Sequence, residues 1–425
     1  MSGYIHRHAE EKFKFLNEVM RVVSVSGPRQ CGKTTMMRHE LEGKATFLSL
    51  DRDDNLDQAI YEPEDFLSDG LRQYGRIAID EVQKAPNLLG EIKFVVDRTN
   101  QPGQVNISGS SNYRALPAAN ESLAGRLGEV RLRTFTQAEL EGKKGSFLSQ
   151  ILNGNFGKDL SIDECSKALV INRALAGGYP AVCQLPAKHR AVWFKSYIKT
   201  LFDHDLKDVG SFRKISALEK ICERMAAVSS RIVNVAEISR DLNEDQRLVL
   251  NYVNAIKTMY LIDEIPSWSE KIYARMKKSS KWVFTDTGLM CAFLKHHVAE
   301  DFMVWSEDAK KQGSDLVGNL VETFVYTQIV PLVEEDDEWK IYHLRSADDQ
   351  EVDFLLENER GEIIAIEVKA SEKASSSDFK NMKWLMERLP ERKIHGVVLY
   401  CGQRVRSYGP NMTAVPIAKM WMPES

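Results

Sequence analysis

Residues 22–35 read VVSVSGPRQCGKTT, and they restrict the fold more than any other stretch of the chain. A β-branched run, Val22 to Val25, enters Gly27, then Pro28, Arg29, Gln30 and Cys31, then Gly32, Lys33, Thr34 and Thr35. This is the G-x-x-x-x-G-K-T spacing of a P-loop, which needs a strand before it and a helix after it. The two glycines let the backbone turn so that successive N–H groups point inward at phosphates. Lys33 brings a point charge for the β- and γ-phosphates, and the Thr34 hydroxyl is placed to ligate Mg²⁺. A helix opening at Lys33 adds the positive end of its dipole. The whole of Gly27 to Thr35 is thus a candidate nucleotide-binding segment, with ATP and Mg²⁺ as its expected ligands.

Downstream, Arg76 to Glu81 (RIAIDE) reads as a strand ending in two acids. After a P-loop, Asp80 is expected to hold the magnesium ion and Glu81 to orient the attacking water. A further strand, Val105 to Ser108, runs into Gly-Ser-Ser, where a sensor hydroxyl or amide would sit. Ser108, Ser110 and Asn112 are the candidates, and the sequence does not choose among them. Arg126 precedes another strand, Gly128 to Leu132, and two readings stay open for it: an arginine finger reaching a neighbouring subunit, or a surface arginine. Strands alternating with helical segments predict a parallel sheet with helices on both faces over residues 1–135.

From residue 136 to 228 the pattern turns helical, broken by Gly177-Gly178-Tyr179-Pro180, and predicts a helical lid. Asp203, His204 and Asp205 are adjacent and point different ways on a helix, so they are read as a solvated face rather than a metal cluster. Residues 229–300 carry helix-turn-helix arithmetic: VAEISRDL, a turn, then RLVLNYVNAIKTMYLI. The following KIYARMKKSSKWVF predicts a wing bearing Lys271, Arg275, Lys277, Lys278 and Lys281. Such a winged helix either holds DNA phosphates or packs against protein, and its second helix has only Arg247 and Lys257 as basic residues.

Residues 311–425 hold a second constellation. GNLVETFVYTQIV (318–330) predicts a helix carrying Glu322, and EVDFLLENERGEIIAIEVKAS (351–371) a hairpin. The hairpin places Asp353 on one strand and Glu367 and Lys369, two apart on one face, on the next. Glu322, Asp353 and Glu367 are candidate Mg²⁺ ligands, with Lys369 positioning the attacking hydroxide, as phosphodiester cleavage requires. Such folds also persist without activity, and both readings stay open.

The 425-residue chain has a net charge of −4, which does not suggest a protein that coats nucleic acid but leaves room for a local basic patch. Its six cysteines (31, 165, 183, 222, 291 and 401) are scattered, with no C-x-x-C pair, which argues against zinc and for a reducing cytoplasm. No uninterrupted apolar run of spanning length is present, so no membrane contact is expected.

In order and spacing, GPRQCGKTT, IDEVQ, SGSS, SLAGR, GGYP, TDTGL, GNLVETFV and EVDF…IEVKAS resemble the prokaryotic AAA-type ATPases that carry a C-terminal PD-(D/E)xK nuclease-like domain of unknown function. The resemblance spans nearly the whole chain. It implies an α/β P-loop parallel sheet with a helical lid, a winged helix, and a C-terminal α/β restriction-endonuclease-like domain. The chain departs from the pattern at Cys31, where a valine or other small apolar residue is usual. A homo-oligomer is expected if Arg126 acts in trans, and DNA is the expected partner of the last two units. The competing expectation is a non-catalytic nucleotide switch that binds DNA or a protein.

Overall fold

The computed structural model describes residues 3–109, 123–206, 212, 214–270, 279–311, 315–346 and 350–422. Ser110 and Asn112, and the wing residues Lys271, Arg275, Lys277 and Lys278, lie outside the described residues.

Five parallel strands form the N-terminal sheet: β1 (Val22–Ser26), β2 (Thr46–Ser49), β3 (Ile77–Asp80), β4 (Val105–Gly109) and β5 (Leu127–Arg131). Their order is β2-β3-β4-β1-β5. Every residue of β1 is buried, as expected for a β-branched strand covered on both faces. Because β4 lies between β1 and β3, the ends of all three converge on the P-loop, at the carboxyl edge where open α/β sheets bind ligands.

The next segment is helical, including Lys167–Ala176, Ala187–Thr200 and Ile215–Ala227. It continues into β6 (Arg231–Ile232), the helices Val235–Leu242 and Gln246–Thr258, β7 (Ile262–Ile265) and β8 (Lys281–Phe284). Asn234 and Asp245 cap these two helices through their side chains. The three strands make an antiparallel sheet in the order β6-β8-β7.

A helix, Leu316–Asp336, leads into the C-terminal sheet of β9 (Trp339–Arg345), β10 (Glu351–Asn358), β11 (Ile363–Lys369), β12 (Ile394–Tyr400), β13 (Arg406–Gly409) and β14 (Met412–Pro416). The order is β13-β14-β12-β11-β10-β9, with the expected hairpin formed by β10 and β11. Side chains alternate across it. Phe354, Leu356, Ile364 and Ile366 face a core shared with the helix Leu316–Asp336, whereas Leu355, Ile363 and Ala365 face Phe379, Met382 and Leu385. The stretch Leu316–Glu335 has a mean hydropathy of 1.4, enough by length and composition to cross a membrane, yet 78% of it is buried inside the protein. It is the central core helix of this half of the molecule.

One apolar cluster runs from Ala138 to Trp421 and joins the helical segment, the three-stranded sheet and one face of the C-terminal sheet. The divisions expected at 228/229 and at 300–311 therefore do not separate cores. The N-terminal sheet keeps its own clusters on its two faces.

Candidate active site

Gly27 has φ +148°, and a Cβ there would stand 2.0 Å from the Leu132 carbonyl oxygen, so only glycine lets the P-loop pass the end of β5. Cys31 fills the space beside it. It is fully buried, with its Sγ 3.4 Å from the same carbonyl, which accounts for a small side chain at this position. Gly32, at φ +104°, opens the helix Lys33–Leu41. Lys33 is buried and its ammonium donates to the carbonyls of Gly27 and Pro28, both at 3.0 Å, which holds it across the mouth of the loop.

The strand order brings three of the expected residues together. Thr34 Oγ1 donates to Asp80 Oδ2 at 2.8 Å, and Ser108 Oγ donates to Asp80 Oδ1. Ser108, at the end region of β4, is the one sensor candidate that lies among the described residues. Glu81 follows in a left-handed turn (φ +59°), with Gln83 Nε2 donating to its Oε2 at 2.5 Å. A hydroxyl and a carboxylate side by side at a phosphate loop fit Mg²⁺, whose usual ligands are one or two such oxygens plus phosphates and water.

Three groups at this site were not legible in the sequence. Arg7 is buried; its guanidinium donates to Cys31 O at 3.0 Å and to Arg133 O at 2.6 Å, and pairs with Glu139 at 3.2 Å. Tyr197 Oη, on the helix Ala187–Thr200, donates to Arg29 O at 3.0 Å, so the helical segment touches the P-loop directly. Asp286 binds Gly178 N and Leu289 N, each at 2.8 Å, capping the helix Thr287–Phe293 while gripping the GGYP turn. That turn sets Pro180 beside the P-loop. A cavity of about 720 Å³ opens there, lined by Tyr4, Ile5, Gly32, Met36, Phe135 and Pro180 among others.

Arg126 lies at the opposite edge of the sheet. It precedes β5, whose first residue pairs with the first residue of β1, so it is remote from its own chain's P-loop. Asp97 binds its guanidinium at two points, 2.6 and 2.7 Å. Arg126→Ala is expected to leave ATP turnover unchanged, because the partner it loses is Asp97. A fall in phosphate release by a folded variant would assign it to a neighbouring subunit's site.

The second constellation also comes together, with a different cation from the one expected. Lys281, read from sequence as part of a solvent-facing basic wing, is 1% exposed. Its ammonium stands 2.5 Å from Glu322 Oε1 and 3.6 Å from Asp353 Oδ1. A register shift between Val352 and Leu355 marks a bulge around Asp353, whose Oδ2 accepts from Val368 N at 2.8 Å. Lys369 pairs with Glu367 at 2.7 Å on the same face of β11. Burial and the neighbouring Asp353 push Glu322 up to about 8, with Lys281 pulling the other way. The same two causes push Glu367 up to about 8 against Lys369. Among the described residues no group of three or more His, Cys, Asp or Glu side chains is arranged to hold a metal ion. What separates this site from the P-loop is the Lys281 ammonium, which stands between Glu322 and Asp353 where a divalent ion would have to lie, so Mg²⁺ does not fit these acids as they stand.

Comparison with known proteins bears on the N-terminal unit. A family model described as an AAA domain matches residues 19–141. Two models described as domains of unknown function, DUF8612 and DUF4143, match residues 167–299 and 317–420. Uncharacterized proteins of Mycobacterium bovis and Mycobacterium tuberculosis are each 26% identical over 397 residues, covering 93% of this chain and 80% of theirs. A Walker-type ATPase of Pyrococcus abyssi aligns with 68% of this chain and 96% of its own at 14% identity, with a TM-score of 0.44. A STAND-class signal transduction ATPase with a tetratricopeptide repeat sensor, from Pyrococcus horikoshii, aligns with 79% of this chain and 53% of its own at 13% identity, with a TM-score of 0.23. The strand order, the P-loop and the matched model together make the N-terminal unit of this chain an AAA-type P-loop ATPase domain.

Proposed function

We infer that the protein binds and hydrolyses ATP with Mg²⁺ and uses the nucleotide state as a switch. The observation that carries this is the Thr34–Asp80–Ser108 group beside the Lys33 ammonium, at the mouth of the P-loop. Mg²⁺, bound with ATP, would neutralise charge between the β- and γ-phosphates. Thr34 and Asp80 would hold it. Lys33 would exchange its two carbonyl partners for phosphate oxygens, and the backbone of Gly27 to Thr35 would enclose the phosphates. Glu81 would orient the attacking water and accept its proton, with Ser108 fixing Asp80. The cavity beside Tyr4, Ile5 and Pro180 takes the nucleoside, since it opens from the Gly32 and Thr35 end of the loop.

Two features support a switch over a cleaving enzyme. Tyr197 and the Asp286–Gly178 contact connect the P-loop surroundings to the middle of the chain. The C-terminal acids, meanwhile, are already paired with lysines, Glu322 with Lys281 and Glu367 with Lys369. The order helix, β6, two helices, β7, β8 is that of a winged helix, and the C-terminal sheet carries the PD-(D/E)xK residues, so both units are read as domains of those kinds. On this reading they bind DNA or a protein partner. Protein packing is favoured, because Lys281 is buried and Lys257 is paired with Glu264.

Glu81→Gln tests the ATPase assignment by separating binding from turnover. ATP affinity should stay within a few-fold, while phosphate release should fall by ~10²-fold, the usual worth of a positioned base. Equal turnover in the variant would remove Glu81 from the chemistry.

A further inference from the structure

We propose that Lys281 is the resident cation of the C-terminal acid set, and that it locks the three-stranded sheet to the C-terminal domain in place of a divalent metal ion. The lysine is the first residue of β8, while its partners belong to the helix Leu316–Asp336 and to β10. Besides the two carboxylates, the ammonium lies 3.3 Å from the Asp353 carbonyl oxygen and 5.4 Å over the Phe354 ring. The site therefore supplies it with three oxygens and an aromatic face, the environment a buried ammonium needs.

A magnesium ion at these acids would need oxygens at ~2.0–2.1 Å in an octahedral shell. It cannot share Glu322 and Asp353 with an ammonium hydrogen-bonded to the first and 3.6 Å from the second, because the two cations would repel inside a buried site. The lock also sits on a strand with a second attachment. Strand β8 ends at Phe284, and Asp286, two residues on, holds Gly178 of the turn beside the nucleotide cavity. Lys281 and Asp286 thus fasten the two ends of one short segment to the C-terminal domain and to the nucleotide side of the molecule.

The test uses the full chain without nucleotide, so its failure leaves the ATPase reading untouched. Mn²⁺ binding is measured by electron paramagnetic resonance on the wild type and on Lys281→Met, each with and without Asp353→Asn. The wild type should show no binding that Asp353→Asn removes. Lys281→Met should gain one such site, read as the loss of one equivalent of free-Mn²⁺ signal per chain. Binding sensitive to Asp353→Asn in the wild type, or none in a folded Lys281→Met protein, would overturn the proposal. Removing the lysine leaves Glu322 buried beside Asp353 without its cation, which costs Lys281→Met stability. In denaturant titrations it should therefore be less stable than the wild type, and adding Glu322→Gln should restore most of the loss. A double variant no more stable than Lys281→Met would also overturn it.

Discussion

Lys33→Ala is expected to abolish ATP hydrolysis and to weaken nucleotide affinity by at least ~10²-fold, the worth of about two charge-assisted hydrogen bonds. In the free protein this ammonium is held by the carbonyls of Gly27 and Pro28, 3.0 Å each. It is therefore already at the loop mouth, and little rearrangement precedes its capture of phosphate. The two carbonyl bonds it gives up are ordinary neutral acceptors, so the alanine variant keeps the fold. Ligand-induced stabilisation reads the effect directly. ATP at ~100 times the wild-type Kd should stabilise the wild type by ~2.7 kcal/mol and the variant by ~0.4 kcal/mol or less. Equal stabilisation of both proteins would move the nucleotide elsewhere.

Asp263→Asn is expected to be the most destabilising single change outside the apolar core. Asp263 is 7% exposed and accepts from Arg131 at 2.5 Å, Arg133 at 2.6 Å and Tyr326 at 2.6 Å. Arg133 is also held by Glu334 through two bonds of 2.6 and 2.7 Å. The network joins the end of β5 to β7 and to the core helix Leu316–Asp336, so it fastens the ATPase sheet to the remainder of the molecule. The asparagine keeps the shape but leaves the buried Arg133 and the partly exposed Arg131 guanidinium groups facing a neutral amide, at a cost of about 3 kcal/mol. Burial raises the Asp263 pKa, but Arg131 and Arg133 outweigh it and hold the group well below the ordinary carboxylate value of 3.8. A depressed folded pKa gives stability that is present above the unfolded pKa and lost as pH falls through the folded one. The gap between wild type and variant in urea titrations should therefore be constant from pH 5 to 8 and close only in strong acid. A gap that closed near neutrality would assign the effect to another group.

Chemistry that is local in sequence was legible. The P-loop declares itself because its glycines, lysine and threonine act from consecutive residues, and Asp80 follows because a strand end fixes its place. That Ser108 meets Asp80 needed one further fact, that β4 lies beside β3, which no local pattern encodes. Lys281 shows where reading by neighbours fails. In sequence it follows Lys277 and Lys278 and reads as part of a solvated basic run, yet its partners are 41 and 72 positions away. The TDTGL motif had no local explanation for the same reason, since Asp286 binds Gly178, 108 positions earlier. Arg7, twenty residues before the P-loop and in no motif, is held by contacts to Cys31, Arg133 and Glu139. Long-range charge pairing escapes periodicity and composition alike, because neither carries the identity of the partner.

The central claim is that Gly27 to Thr35, Asp80 and the adjoining cavity form one site for Mg²⁺-ATP. Calorimetric titration of ATP into the wild-type protein, with and without Mg²⁺, tests it most directly. One molecule bound per chain, with affinity strengthened by Mg²⁺ and that strengthening lost in Asp80→Asn, is the predicted result. A folded protein that takes up no ATP, or binds it with the same affinity whether or not Mg²⁺ and Asp80 are present, would contradict it.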